Sequence, residues 1–420
     1  ELDILSNTLT DFSINISCGP GIVGSCAILD VSSSNGEYFI GGNTNVIGGR
    51  RRQGFAAFNL NDGTLMDLDI PVLGYIESIA IKDSLLLLGG SFLQLLNQPS
   101  NYFGIVNINS NSLLPTLIQP NSIIHDIHLI EDTVYIGGFF TSINGQSRNR
   151  IAAFNLYDQQ LLNWSPNFDN SVTKIKRLNN LLLVGGEFTN VNGNSTGHAV
   201  CLSRNTNAIE NIGLQYTNGR VYDFYNHNNK LHIVGAFTNF GSENREYYAV
   251  LDLNTALLDA IDPNPTSKPY CIAAINNSIF VGGSFTSIGT TKRNKIAAID
   301  LNTGQVTDWA PNIQPNSCVI NDIVIDNNEV YVAGYFTSVN DEPRTSFVSL
   351  SKLDATVLPT NPNLNFNGII FDMTLKDSLV YFIGMFSSVS GVPKNRVAAF
   401  NVLTNTLSSW DPPISGNSPG

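Results

Sequence analysis

The chain has little charge. Asp, Glu, Lys and Arg together make up 13% of its 420 residues, where a soluble domain ordinarily carries about a quarter. Lys and Arg number 22 against 34 Asp and Glu, a formal net charge of −12. The basic footprint that a general nucleic-acid binder needs is therefore missing. No apolar run reaches the length of a membrane-spanning helix, and no helical period of apolar residues shows in the repeated unit. There is no H-E-x-x-H, no G-x-S-x-G and no Cys/His zinc spacing. Gly19-Pro20-Gly21-Ile22-Val23-Gly24 has the letters of a dinucleotide loop, but it leads into a strand, so no such site is inferred. His125 and His128 face opposite ways on a strand and share no ion unless a bulge intervenes, so no metal site is expected.

Cysteine is scarce, at five residues. Cys18 and Cys26 flank a short Gly-rich loop and could close a disulfide, which would suit an oxidising compartment. Cys201, Cys271 and Cys318 lie in or beside apolar runs and read as buried thiols. The chain begins at Glu1 without Met or an apolar leader. A mature secreted protein and a trimmed chain both fit that start.

What the chain has is a repeat. The stretch Thr133–Leu156, TVYIGGFFTSINGQSRNRIAAFNL, recurs in variants, with a marker glycine at Gly42, Gly90, Gly138, Gly186, Gly235, Gly283, Gly334 and Gly384. Two residues on stands Phe92, Phe140, Phe188, Phe237, Phe285, Phe336 or Phe386, with Thr44 the exception. A fixed period of this length marks stacked supersecondary units. In the third copy, short β-branched runs at 123–130, 133–136, 151–156 and 161–164 alternate with turn residues, which predicts four strands per copy. Four antiparallel strands repeated radially predict an all-β fold, a single eight-bladed β-propeller of four-stranded antiparallel blades. Residues 1–24 form an N-terminal extension, which either adds a closing strand to the last blade or crosses one face. Residues 25–413 form the propeller, and 414–420 a tail or linker. The glycine pair fits where backbones of neighbouring blades approach closely, and the Phe becomes a core residue between blades.

The repeat, followed by W-x-P-N, resembles the delta-60 repeat family of bacterial β-propeller proteins and is similar to the propeller repeats of fungal cortical polarity markers. The resemblance covers about residues 25–413. It implies a secreted or surface-attached chain, extracellular or at the cell surface, and assigns no activity.

In a propeller, the connections from second to third strand and from blade to blade emerge on one side, which predicts a loop face where binding resides. Ten residues after the marker glycine stand Arg52, Arg148, Arg245, Arg293, Arg344 and Lys394, with Ser100 and Thr196 in copies two and four. They are candidates for docking an anionic partner. The repeat enforces their position, which favours a structural role tying each loop to a neighbouring carbonyl or carboxylate. First strands carry Asp126, Asp223, Asp322 and Asp372, with Lys174 and Cys271 elsewhere. A ring of these carboxylates at the channel mouth could hold Ca²⁺. The alternative, that each accepts backbone N–H bonds from an adjacent loop, is preferred. Trp164, Trp309 and Trp410 precede prolines. Stacking on sugar rings is one reading of Trp164 and Trp309, and covering the blade edge is the favoured one.

With no catalytic residues identified, the expected function is a non-catalytic interaction module, adhering or binding ligand through the loop face, with a protein or glycan surface partner. A glycan-active hydrolase or lyase and a self-assembling structural subunit of a fibre, virion or surface layer are the alternatives. Fold alone does not choose among them.

Overall fold

The computed structural model describes residues 16–17 and 27–408, apart from 35–36, 44–45, 48–49, 52, 60–64, 302, 327, 365–367, 377 and 395–396. All the regular structure in these residues is β. Among the described residues the longer strands form successive antiparallel sheets along the chain, three of them four-stranded and the others three-stranded with a further single bridge at the edge. In repeat three the first strand, Ile124–Ile130, pairs antiparallel with Thr133–Gly138, which pairs with Ile151–Asn155. The first strands of consecutive repeats pack side by side, from Ala27–Ser34 through to Ile369–Lys376.

The fourth strand is shorter than the sequence suggests. It reaches two residues at Ser112–Leu113, Leu257–Leu258 and Thr406–Leu407. Elsewhere it is a single bridge, as between Phe154 and Leu161. Beyond it the chain crosses early to the next repeat: Trp164 donates from Nε1 to the Ser203 carbonyl at 2.8 Å.

The expected loop between second and third strands is itself β structure. Ser142–Ile143 and Gln146–Ser147 form a hairpin, and Pro120 from the incoming crossover bridges Ile143. The same three-part unit recurs, with Phe168, Thr217, Pro265 and Leu364 as the crossover members. In repeat one this place is taken by Ile16–Ser17, which pairs with Val46–Ile47. The described part of the N-terminal extension thus completes a hairpin unit of repeat one.

The two glycines of the repeat serve different contacts. A Cβ on Gly137 would meet Val172 of the next repeat at 2.6 Å, and one on Gly89 would meet Ile124 at 2.7 Å. A Cβ on Gly138 would instead lie 2.1 Å from the Ile123 carbonyl of its own sheet. The first glycine thus yields to the facing side chain, and the second yields to backbone. Accordingly Val234, Ala333 and Ile383 occupy the first place in three repeats, while the second is glycine throughout. Opposite Val234, the next first strand carries Pro269 where its neighbours carry Val or Ile. Phe140 and its equivalents are buried, as are the Ala-Ala pairs of the third strands.

Candidate functional site

The hairpin end of the sheets is held by side chains from the crossovers. Asn121 Oδ1 accepts the N–H of Thr141 at 2.8 Å and of Ser142 at 3.1 Å. Asn218 does the same for Thr238 and Asn239, and Thr266 Oγ1 for Thr286 and Ser287. In repeat four the cap is Asp169. Burial pushes its carboxyl up, but hydrogen bonds from Asn190 and Thr189 outweigh that and hold it well below the usual range. Short polar side chains suit this role because they satisfy two backbone donors at one turn.

Each first strand carries a bulge near this end. Ile124 pairs with Gly138 and Asp126 with Gly137, so His125 is the extra residue. Its equivalents are Leu29, Glu77, Thr173, Tyr222, Tyr270, Asn321 and Phe371. A bulge re-aims a side chain away from the sheet's own alternation. The bulge residues of adjacent repeats meet: His125 Nδ1 lies 2.7 Å from Glu77 Oε2, and the rings of Tyr222 and Tyr270 are 6.1 Å apart. Asn321 donates to the Ile370 carbonyl of the next repeat at 2.8 Å. Beside them stand residues that follow the second strand or precede the first. Phe139 lies under the Arg150 guanidinium at 4.5 Å, and Glu187 pairs with Arg220 at 3.0 Å. Six large side chains of this rim are open to solvent: Tyr75, Phe139, Tyr270, Tyr335, Phe371 and Met385, each 40–48% exposed.

Sequence reasoning selected the residue after the bulge. Asp126 Oδ2 accepts the N–H of Ile175 on the next first strand at 2.6 Å. Asp322 does the same for Met373 at 2.7 Å, and Asp30 for Ile79 at 2.7 Å. Ser78 continues the series to Ile127 at 3.0 Å. These carboxylates lace successive first strands together. Burial raises the pKa of Asp126. Asp223 and Asp372 hold the same register, and their side chains lie outside the described residues. Among the described residues no group of three or more His, Cys, Asp and Glu could hold a metal ion. A bulge does separate His125 from Asp126, yet His125 turns to Glu77 of the preceding repeat. His128 lies among the charges of Lys174, Arg177 and Lys176 of the following one.

The arginines sit between hairpin and fourth strand. Arg148 donates to the carbonyls of Ser147 and Leu162, and Arg245, Arg293 and Arg344 repeat the pattern. Arg245 also pairs with Asp262 at 3.3 Å and Arg344 with Glu342 at 2.9 Å. Lys394 is buried, and Arg52 lies outside the described residues. Trp164 and Trp309 are only 4% exposed. Their Nε1 atoms donate to Ser203 and Ser351 of the next repeat, at the sheet end away from the hairpins. Their rings stand edge to face with Tyr135 and Phe280. Cys201, Cys271 and Cys318 are buried, as expected of thiols in apolar runs, while Cys18, Cys26 and Trp410 lie outside the described residues. The rim was missed because its residue type changes from repeat to repeat. That variation, beside a constant framework, was the available signal.

A family model described as a domain of unknown function (DUF5122), beta-propeller, matches residues 132–156 and 179–205, the second-to-third strand segments of repeats three and four. No curated protein matches the chain. Among solved structures, the computationally designed Ika8 protein is 13% identical with a TM-score of 0.58, covering 94% of this chain and 99% of that one. BamB from Moraxella catarrhalis is 12% identical with a TM-score of 0.52, covering 90% of this chain and 95% of its own. These likenesses support a β-propeller family and an all-β propeller fold, and at such identity the solved structures speak for the fold alone.

Proposed function

We propose that the chain is a non-catalytic interaction module, an eight-bladed propeller closed into a ring, which docks a partner protein on the rim of bulge residues at its hairpin face. The observation that carries this reading is the exposed set Tyr75, Phe139, Tyr270, Tyr335, Phe371 and Met385, at one end of strands whose other apolar residues are mostly buried. Isolated exposed apolar residues are ordinary, whereas a group of them on a rigid edge marks an interaction surface. Tyrosine anchors with polar groups beside them, here His125–Glu77 and Arg220–Glu187, match the make-up of protein interfaces. Seven consecutive seams of one kind join the first strands, as a ring of such repeats requires. Display outside the cell, as the repeat resemblance implies, belongs to the same proposal.

A photo-reactive phenylalanine analogue at Phe139 or Phe371 tests the reading in native extracts. A discrete protein adduct from these positions, absent when the analogue replaces Leu257 on an outer strand, is the expected result. Equal labelling from Leu257 removes the proposal. Adducts to polysaccharide alone would replace the protein partner by a glycan, since aromatic faces also stack on sugar rings.

A further inference from the structure

Where a repeat carries arginine ten residues after its second glycine, the guanidinium takes two fixed acceptors. These are the carbonyl of the residue before it and a carbonyl fourteen residues on. Arg148 holds Ser147 at 2.9 Å and Leu162 at 3.2 Å. Arg245 holds Asn244 at 3.0 Å and Asp259 at 3.5 Å. Arg293 holds Lys292 at 2.8 Å and Thr307, and Arg344 holds Pro343 at 2.9 Å and Leu358 at 3.4 Å. In each case the side chain fills the notch between hairpin and fourth strand.

Repeat four has Thr196 at this position, and its hydroxyl turns to the Gly197 carbonyl at 3.2 Å. The notch is a cleft of about 510 Å³, lined among others by Ser195, Thr196, Asn207, Glu210 and Tyr216. Ser195 and Glu210 are the counterparts of the two acceptor residues in the arginine repeats. Repeat two also lacks the arginine, but its residue turns inward. There Ser100 is buried and donates to the Phe103 carbonyl at 2.7 Å, and Leu95 and Leu113 crowd Gly104.

We propose that the cleft of repeat four receives an arginine side chain from another protein, its guanidinium taking the place that the chain's own arginines hold in repeats three, five, six and seven. In the arginine repeats two carbonyls at this spacing accept from the planar guanidinium fork, which lysine's point charge matches less well. In repeat four the Glu210 carbonyl also takes the Ile212 N–H at 3.1 Å, so an incoming guanidinium would use its second lone pair. The Glu210 carboxylate adds a negative charge to the cleft, and Tyr216, 43% exposed, offers a ring face on which guanidinium stacks. The volume falls within the range of small-ligand sites. The net charge of −12 favours a cationic visitor. This site lies on the third and fourth strands, apart from the bulge rim, and does not rest on the rim reading.

Titration calorimetry with N-acetyl-arginine amide, and with its lysine and citrulline counterparts, tests it. The arginine compound should bind roughly tenfold more tightly than either, and Glu210→Gln should weaken it by about the same factor. Thr196→Arg, which gives repeat four the staple of its neighbours, should abolish binding. If that variant does not fold, Glu210→Lys, which sets a cation in the cleft, reads the same outcome. Phe139→Asp at the rim should leave the titration unchanged. Full binding by folded Thr196→Arg or by Glu210→Lys, equal affinity for citrulline, or no binding of the arginine compound would each overturn the proposal.

Discussion

The carboxylate of Asp126 reaches across the seam between repeats three and four and accepts the backbone N–H of Ile175 at 2.6 Å. Among the described residues the bond is one of four of its kind, with Asp30–Ile79, Ser78–Ile127 and Asp322–Met373, in which a side chain beside the bulge ties one first strand to the next. Removing the acceptor leaves a buried N–H without its partner, which costs about 1–3 kcal/mol. Asp126→Ala should therefore lower the unfolding free energy by that amount, read as a fall in the denaturant midpoint at unchanged slope. Asp126→Asn, which keeps an acceptor oxygen, should lose less. Burial already raises the pKa of this carboxyl, so losing its charge is not a large penalty.

The two neighbouring glycines separate side-chain crowding from backbone crowding. Gly137→Ala drives a methyl against Val172, which can be trimmed, so Val172→Ala in the same chain should recover part of the loss. Gly138→Ala drives it against the Ile123 carbonyl, and no side-chain change relieves that. Thermal melting of the single and double variants distinguishes the two cases.

Loss of one arginine staple should be felt locally. Arg293 joins the Lys292 and Thr307 carbonyls. Arg293→Lys keeps the charge but not the fork, so both Arg293→Lys and Arg293→Ala should destabilise, by about 1–3 kcal/mol for the alanine. Hydrogen exchange should rise first in the hairpin Thr291–Lys292, whose pairing with Ser287–Ile288 the staple supports.

Two histidines make the fold sensitive to acid. Burial pushes His128 and His232 down to about 4, helped at His128 by Lys174, Arg177 and Lys176 and at His232 by His227 and Lys230. The unfolded chain protonates these rings below about 6.5. Between 6.5 and 4 the unfolded state binds more protons, so stability falls as pH drops through that window and is retained above it. Each histidine contributes roughly 1.4 kcal/mol per pH unit at most, less for the partly exposed His128. Urea midpoints from pH 7 to 4 should show the fall, and His232→Asn should flatten it.

The repeat was legible because its constraints are local. Marker glycines, the Phe two residues on and the turn residues recur at one spacing, and each answers to strand geometry or close backbone approach. The site was less so. Asp126 and its equivalents drew notice as a recurring charge, yet the structure uses Asp30, Asp126 and Asp322 to tie strands together. The residue before each is the one that the bulge turns aside. A bulge comes from pairing two strands out of step, and no single strand's sequence records that offset.

By itself the sequence determined that this is an all-β repeat protein with a constant framework and variable inserts, because period, turn chemistry and glycine placement act over a few residues. Only the tertiary structure decided which side chains face outward at the hairpin end and that Trp164 and Trp309 are packed against the next repeat. It alone also decided that Thr196 lines a cleft while Ser100 is buried against the Phe103 carbonyl. Those outcomes depend on what neighbouring repeats bring into the same space, and that is a property of packing.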